Sequence, residues 1–145
     1  SKIEVLSYPL IGTFMRRLRH FAFERSDAEA RLRQSEEIEA ALRRGDSVFI
    51  FPEGTFTPDA GVRAFQLGAF KAAVATGCPI VPVALQGSRE FLRDGTILPR
   101  PSSVTIKALP PIWPRAGAES DWHEIVRLRD EARAAIAEKC GEPLA

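Results

Sequence analysis

The stretch that decides the fold is Ser47-Val48-Phe49-Ile50-Phe51-Pro52-Glu53-Gly54-Thr55, an apolar run that ends abruptly in a proline, an acid and a glycine. Residues 47–51 are short, β-branched and aromatic, which predicts a buried strand. Pro52 ends that strand because a proline excludes the residue before it from the helical region. Gly54 permits a tight turn and a close approach by a ligand. The stretch therefore predicts a strand tip that presents Glu53 where open α/β sheets hold their ligands.

Helical and strand-like segments alternate along the chain, which predicts an α/β fold with a mixed, mostly parallel sheet flanked by helices. A capping box at Ser26 begins the longest upstream helix, and Gly45 and Gly77 end two of the helices. The predicted elements, in order, are a helix over 9–19, a strand over 20–24, a helix over 26–44, the strand over 47–51, a helix over 66–76, strands over 80–85 and 104–108, and a last amphipathic helix over 119–139.

The composition indicates one folded domain over residues 1–145, since 45% of the residues are hydrophobic. The net charge of +1 provides no global field that would attract nucleic acid. Cys78 and Cys140 match no metal or redox spacing, so we expect no metal and no bound cofactor in a reducing, cytoplasmic setting. No apolar stretch reaches the roughly 18 to 20 residues that span a bilayer. Any membrane contact is therefore expected to be peripheral or made by other segments.

Two basic residues could bind a phosphate group. Arg25 stands directly before the helix that begins at Ser26, where free N–H groups and a guanidinium fork together suit an anion. A surface ion pair with Glu24 or Asp27 is the alternative for Arg25. Lys71 follows the buried Phe70 on its helix and could reach a phosphate or a coenzyme, although such lysines are more often simply solvated.

Neither histidine of the chain is suited to act as a general base. Such a base needs a pKa near neutrality and a partner that orients it, and the usual choice is a histidine with an acid on the same turn. Arg25 follows His20 by five residues, and Leu128 follows His123 by five. We therefore expect no catalytic residue within this chain.

Three blocks in a fixed order resemble the glycerolipid acyltransferases of the 1-acylglycerol-3-phosphate acyltransferase type. They are Phe51-Pro52-Glu53-Gly54-Thr55, Phe65-Gln66-Leu67-Gly68-Ala69-Phe70-Lys71 and Pro79-Ile80-Val81-Pro82-Val83. Arg25 resembles the phosphate-binding block upstream of them, and the resemblance covers about residues 1–112. Three residues depart from the family pattern. Arg19 stands where the family often has glycine, Phe56 where it often has arginine or serine, and Gln66 where it often has lysine. Fewer cations would suit an acceptor with less anionic charge.

The resemblance implies a reaction and a place for its base. In this family the histidine of a His-x-x-x-x-Asp motif deprotonates the acceptor hydroxyl, whose oxygen attacks the thioester of acyl-CoA or acyl-carrier protein. Since the motif precedes the matched blocks, we expect it upstream of Ser1 and expect the 145-residue chain to be inactive alone. The implied acceptor is a lysophosphatidate-like glycerolipid at the cytoplasmic face of a membrane. With Lys71 included, the candidate substrate-binding residues are Arg25, Glu53, Gly54, Thr55, Lys71, Val81 and Pro82.

Two other functions stay open on the sequence. A non-catalytic module could keep the lipid-phosphate site and perform no transfer. A hydrolase could use Ser88 as its nucleophile, but the sequence has no Gly-x-Ser-x-Gly elbow and no histidine at a suitable distance. If the fold lacks its N-terminal segment, an exposed apolar seam could drive dimerisation of the chain.

Overall fold

The structure is a computed structural model whose chain divides into two compact units, residues 1–46 and 47–145. It describes residues 28–54, 60–91, 98, 100–117 and 121–145. The helix predicted over 9–19, the strand predicted over 20–24 and Arg25 lie outside the described residues. The prediction of a single domain over 1–145 stays a prediction.

The first unit contributes helix α1, Ala28–Arg43, where the long upstream helix is predicted. In the part of this helix whose burial is described, residues 35–43, the buried side chains are Ile38 and Ala41, which lie one turn apart. The helix ends as its sequence indicates, because Gly45 adopts a φ of +87° and donates its N–H to Leu42 O at 3.0 Å. A residue with a side chain adopts that backbone conformation only with strain.

The second unit contains three helices and two strands in its described part. They are α2, Gly68–Thr76; β1, Val83–Gln86; the single turn α3, Ser88–Phe91; β2, Thr105–Ala108; and α4, Trp122–Cys140. Asp121 caps α4 by accepting a hydrogen bond from the His123 main-chain N–H at 2.9 Å. Gly141 ends the same helix in the left-handed region. The helices predicted over 66–76 and 119–139 are thus confirmed.

The core of this unit lies between α2 and α4. Phe70 and Val74 of α2 pack against Ile125, Leu128 and Ala132 of α4, and all five are buried. Val62 and Phe65, from the segment that leads into α2, belong to the same cluster, and the Phe65 ring stacks near Phe70 at 6.3 Å. The two helices therefore meet along the apolar stripes that their periodicity predicts.

The sheet has a different topology from the one predicted. β1 and β2 pair antiparallel, with Val83 opposite Ala108 and Gln86 opposite Thr105. Ile80 and Ile112 extend the pairing as an isolated antiparallel bridge. The expected α/β combination of helices and sheet is present, but the mostly parallel arrangement is not found in the described part of the chain. Pro79 and Pro82 interrupt β1 on its N-terminal side, because proline has no N–H for the ladder.

The buried strand predicted over residues 47–51 is wrong. No strand is assigned to these residues, none pairs with them among the described residues, and Phe49 and Phe51 are 64% and 65% exposed. Their rings meet edge to face at 5.2 Å instead of packing into the core. β-propensity describes the fit of a side chain to a paired, half-buried surface, so an apolar run without a partner strand forms no sheet.

Candidate functional site

The turn at Pro52-Glu53-Gly54 lies where the sequence predicts an exit from an extended segment. Gly54 donates its N–H to Phe51 O at 3.2 Å and adopts a φ of +72°. A glycine suits this turn because a Cβ is disfavoured at such a φ. Gln66 donates its N–H to Pro52 O at 2.8 Å, which joins the turn to the start of α2. Pro52, Glu53 and Gly54 are all half-buried.

The charge of Glu53 acts electrostatically on Cys140, the last residue of α4. Burial raises the pKa of the Cys140 thiol, and the negative charges of Glu142 and Glu53 raise it further. The thiol donates a hydrogen bond to Leu85 O at 3.4 Å, which joins the end of α4 to β1.

Lys71 occupies different surroundings from Glu53. It is exposed on α2 and lines an open groove of about 350 Å³ with Leu67, Gly68, Trp122 and Ile125. This groove lies beside the first turn of α4, whereas the charge of Glu53 acts on Cys140 in its last turn. From Ile125 to Cys140 the helix rises about 22 Å. No ion pair joins the two charged residues within the described part of the chain, and the role of Lys71 in substrate binding stays a prediction.

Val81 and Pro82 lie at the entry to β1 and have opposite exposures. Val81 is 49% exposed, while Pro82 is buried. The Pro82 carbonyl accepts a hydrogen bond from Leu109 N–H at 2.9 Å, which ties this entry to the end of β2. The exposed Val81 side chain is therefore the one available to a ligand.

The remaining candidates are placed as follows. Arg25 and Thr55 lie outside the described residues, so the structure does not test whether they join Glu53 in one site. Ser88 is an exposed residue at the first position of the single turn α3. His123 is exposed in the first turn of α4, next to Trp122.

Two residues that the sequence analysis did not single out contact residues 61–63, which follow the Pro52-Glu53-Gly54 turn in the chain. We call that turn the acid turn. Arg133 of α4 donates hydrogen bonds to the carbonyls of Arg63 and Val62 at 2.9 and 2.7 Å. Glu142 accepts a hydrogen bond from the Gly61 N–H. Because 70 to 81 positions separate these partners along the chain, no local pattern could have identified them.

A buried ion pair fixes the first turn of α4. Glu124 is only 2% exposed, and its carboxylate accepts hydrogen bonds from Arg127 Nε at 2.9 Å and Arg115 N at 2.7 Å. Arg127 also donates to Trp113 O at 2.9 Å. The hydrogen bond from Arg127 is the main reason that the pKa of Glu124 falls to about 2. With every contact inside the protein, this pair serves the fold and not a ligand.

Two further kinds of site are not found. Among the described residues, no group of three or more histidines, cysteines and acids is arranged to hold a metal ion. The helices in that same part of the chain are too short or too polar to cross a bilayer.

The chain is similar to known proteins over most of its length. The family model described as Acyltransferase matches residues 1–86. A 1-acyl-sn-glycerol-3-phosphate acyltransferase of Limnanthes alba is 34% identical over 113 residues, which cover 77% of this chain and 40% of the relative. A chloroplastic 1-acyl-sn-glycerol-3-phosphate acyltransferase of Brassica napus is 33% identical over 140 residues, which cover 95% of this chain and 38% of that relative.

A solved structure supports the same relationship at the level of the fold. The crystal structure of the 1-acyl-sn-glycerophosphate acyltransferase of Thermotoga maritima matches 97% of this chain with a TM-score of 0.78 and 26% identity. The match covers 54% of that structure's chain, and this chain spans about two fifths of the first plant relative. The family model covers more than half of the present sequence, and its neighbours in sequence and structure agree with it. The chain therefore belongs to the acyltransferase family, as a domain of the 1-acyl-sn-glycerol-3-phosphate acyltransferase type.

Proposed function

We propose that the protein containing these residues transfers a fatty acyl group from acyl-CoA or acyl-carrier protein to the hydroxyl of a lysophosphatidate-like acceptor. The observation that carries the proposal is the Pro52-Glu53-Gly54 turn in a chain of this family. Its half-buried acid sits in a positive-φ turn, and main-chain hydrogen bonds fix it at both ends. A preorganised turn of this kind can hold a headgroup in one orientation, which is what positioning a hydroxyl for attack requires.

The reaction consists of one exchange at the thioester carbonyl. The acceptor oxygen forms the new ester bond, the carbon–sulfur bond breaks, and the proton of the hydroxyl passes to a base while the sulfur leaves as a thiolate. We assign the acceptor headgroup to Arg25, Glu53, Gly54 and Thr55, and its apolar part to Val81 and Pro82. Lys71 would meet an anionic group of either substrate. Apart from the acyl thioester as co-substrate, no cofactor takes part.

The base in this proposal is a histidine of a His-x-x-x-x-Asp motif outside these 145 residues. His123 is exposed beside the Asp121 cap, and that carboxylate accepts from the main-chain N–H of His123. Among the described residues, no acid is shown to orient the His123 imidazole as a base requires. The 145-residue chain by itself is accordingly proposed to be inactive.

The acceptor is a membrane lipid, so the proposal places the complete protein at the cytoplasmic face of a membrane. Exposed tryptophans in the C-terminal part favour such a surface, since Trp113 and Trp122 are 61% and 58% exposed. Tryptophan side chains suit the boundary between lipid and water because one end is apolar and the other can donate a hydrogen bond.

The test is an acyl-transfer assay with labelled acyl-CoA, acyl-carrier protein and lysophosphatidate. A polypeptide that carries these residues together with the histidine motif should turn over, and the 145-residue chain should not. Glu53→Gln should lower kcat/KM by about tenfold or more. Glu138→Gln, at an exposed position on α4, is the matched control and should change little.

Three outcomes would count against the proposal. Transfer by the 145-residue chain would contradict the place given to the base. An upstream coding sequence without a His-x-x-x-x-Asp motif would remove the base altogether. Saturable binding of lysophosphatidate without any transfer by the longer polypeptide would favour the non-catalytic lipid-phosphate module instead.

A further inference from the structure

The segment 60–66, which leads from the acid turn to α2, is held by the C-terminal end of the chain. Val62 donates its N–H to Pro143 O at 2.8 Å, and Ala145 donates its N–H to Val62 O at 3.1 Å. Val62 and Leu144 thereby form a parallel bridge. We call residues 142–145 the tail. It pairs with the segment as a short strand would.

Arg133 joins three parts of the molecule with one side chain. Its Nε donates to Arg63 O at 2.9 Å, and its Nη2 donates to Val62 O at 2.7 Å and also to Ala145 O. The guanidinium thus connects α4, the segment 60–66 and the tail. A planar fork with several fixed donors can do this, whereas the single ammonium of a lysine cannot reproduce the geometry.

The tail approaches so closely that only a glycine fits at position 61. Gly61 adopts a φ of +113°, and a Cβ added there would lie 2.8 Å from the Ala145 Cβ and 3.1 Å from Pro143 O. Its N–H donates to the Glu142 carboxylate. The backbone conformation and the close approach of the tail therefore both favour glycine at this position, and the hydrogen bond to Glu142 joins it to the tail.

The same segment is bonded to the acid turn at its other end. Gln66 donates its N–H to Pro52 O at 2.8 Å, directly before Glu53. Hydrogen bonds therefore link the turn to the segment 60–66, and the segment to both the tail and α4. Of the residues that bond to the segment from α4 and the tail, Arg133 makes the most hydrogen bonds.

We propose that Arg133, assisted by Glu142, is a positioning residue of the acceptor site: it holds the segment 60–66 so that the Pro52-Glu53-Gly54 turn keeps its place. The inference rests on the proposed function, in which that turn binds the acceptor headgroup. It extends the site to α4 and the tail, beyond the residues 1–86 that the family model matches.

The packing indicates that losing Arg133 would loosen the site without unfolding the chain. Val62 and Phe65 are anchored independently in the core between α2 and α4. Val62 O keeps its bond from Ala145 N–H, and Arg63 is exposed, so water can replace the lost donor there. The effect should therefore be local mobility of the segment and the turn, on a free-energy scale well below global unfolding.

Hydrogen exchange on the 145-residue chain measures this directly. Arg133→Ala should speed the exchange of the Gln66 and Gly54 amides by about tenfold, while amides of the β1–β2 pair keep their rates. Arg133→Lys should give an intermediate rate. Arg129→Ala is the matched control, since Arg129 lies one turn earlier on α4 and bonds to Asp130 of the same helix at 2.8 Å. Unchanged exchange at Gly54 and Gln66, or an equal increase everywhere, would overturn the proposal.

The kinetic arm uses a polypeptide that includes the histidine motif. Arg133→Ala should raise the KM for the acceptor about tenfold and leave kcat within about threefold, because it displaces a binding turn and not the base. An unchanged KM with a loosened segment would refute the positioning role while leaving the proposed function intact. If the unsubstituted polypeptide transfers no acyl group, the proposed function fails, and the exchange rates still decide whether Arg133 holds the turn.

Discussion

At the scale of single residues, the pKa of the Cys140 thiol depends in part on the charge of Glu53. Glu53→Gln removes one of the negative charges that raise the pKa of this thiol, so the pKa should fall. The pH dependence of alkylation by iodoacetamide, followed by mass spectrometry of the peptide that contains Cys140, measures it. Glu138→Gln, an exposed carboxylate on the same helix, should leave the pKa unchanged. An identical alkylation profile for Glu53→Gln and the unsubstituted chain would contradict the placement of the turn.

The Glu124–Arg127 pair makes stability depend on pH in a defined direction. The pKa of Glu124 is lowered from 4.5 to about 2 in the folded chain, so its contribution is complete above 4.5 and is lost as the pH falls towards 2. Glu124→Gln should cost about 2 kcal/mol at pH 7 and flatten this dependence. Urea unfolding between pH 7 and pH 2 measures both effects.

The control for this pair is Glu131→Gln, since Glu131 bonds to the same arginine at 2.9 Å but is 49% exposed. That change should cost less than about 1 kcal/mol. Equal losses for the two substitutions at pH 7 would show that the burial of Glu124 has no special importance.

At the scale of an element, replacing the glycines at the two ends of α2 by alanine should change the stability of the chain differently. Gly77 ends the helix at a φ of +68°, so Gly77→Ala should destabilise the chain by about 1 kcal/mol. Gly68 is the first helical residue, and a Cβ there meets open space. Gly68→Ala should be neutral or stabilising by up to about 0.5 kcal/mol. Thermal unfolding compares the two. A loss at Gly68 equal to that at Gly77 would refute the assignment of the helix end.

At the scale of the whole molecule, several large apolar side chains are exposed in the described part of the chain, and exposed apolar surface favours association. Phe49 and Phe51 are exposed by nearly two thirds, and Ile106 of β2 is 67% exposed. We therefore expect the 145-residue chain to self-associate, and Phe49→Ser with Phe51→Ser to weaken that association. Analytical ultracentrifugation at increasing protein concentration measures the association. Lys107→Ser, at an exposed position of β2, is the control and should leave it unchanged. A monomer at every soluble concentration would contradict the prediction.

The sequence by itself determined helices α2 and α4 of the second unit, the order of β1 and β2, the turn at Pro52-Glu53-Gly54 and the family, but it did not predict the single turn α3. These features depend on neighbours in the chain: apolar residues at helical spacing, and glycines such as Gly77 that alone tolerate the left-handed region without strain. The tertiary structure decided the exposure of Phe49 and Phe51 and the antiparallel pairing of β1 with β2. It also decided the hydrogen bonds from Arg133 to a segment 70 positions away. Pairing of that kind is set by which distant groups meet once the core has formed, and no local pattern encodes it.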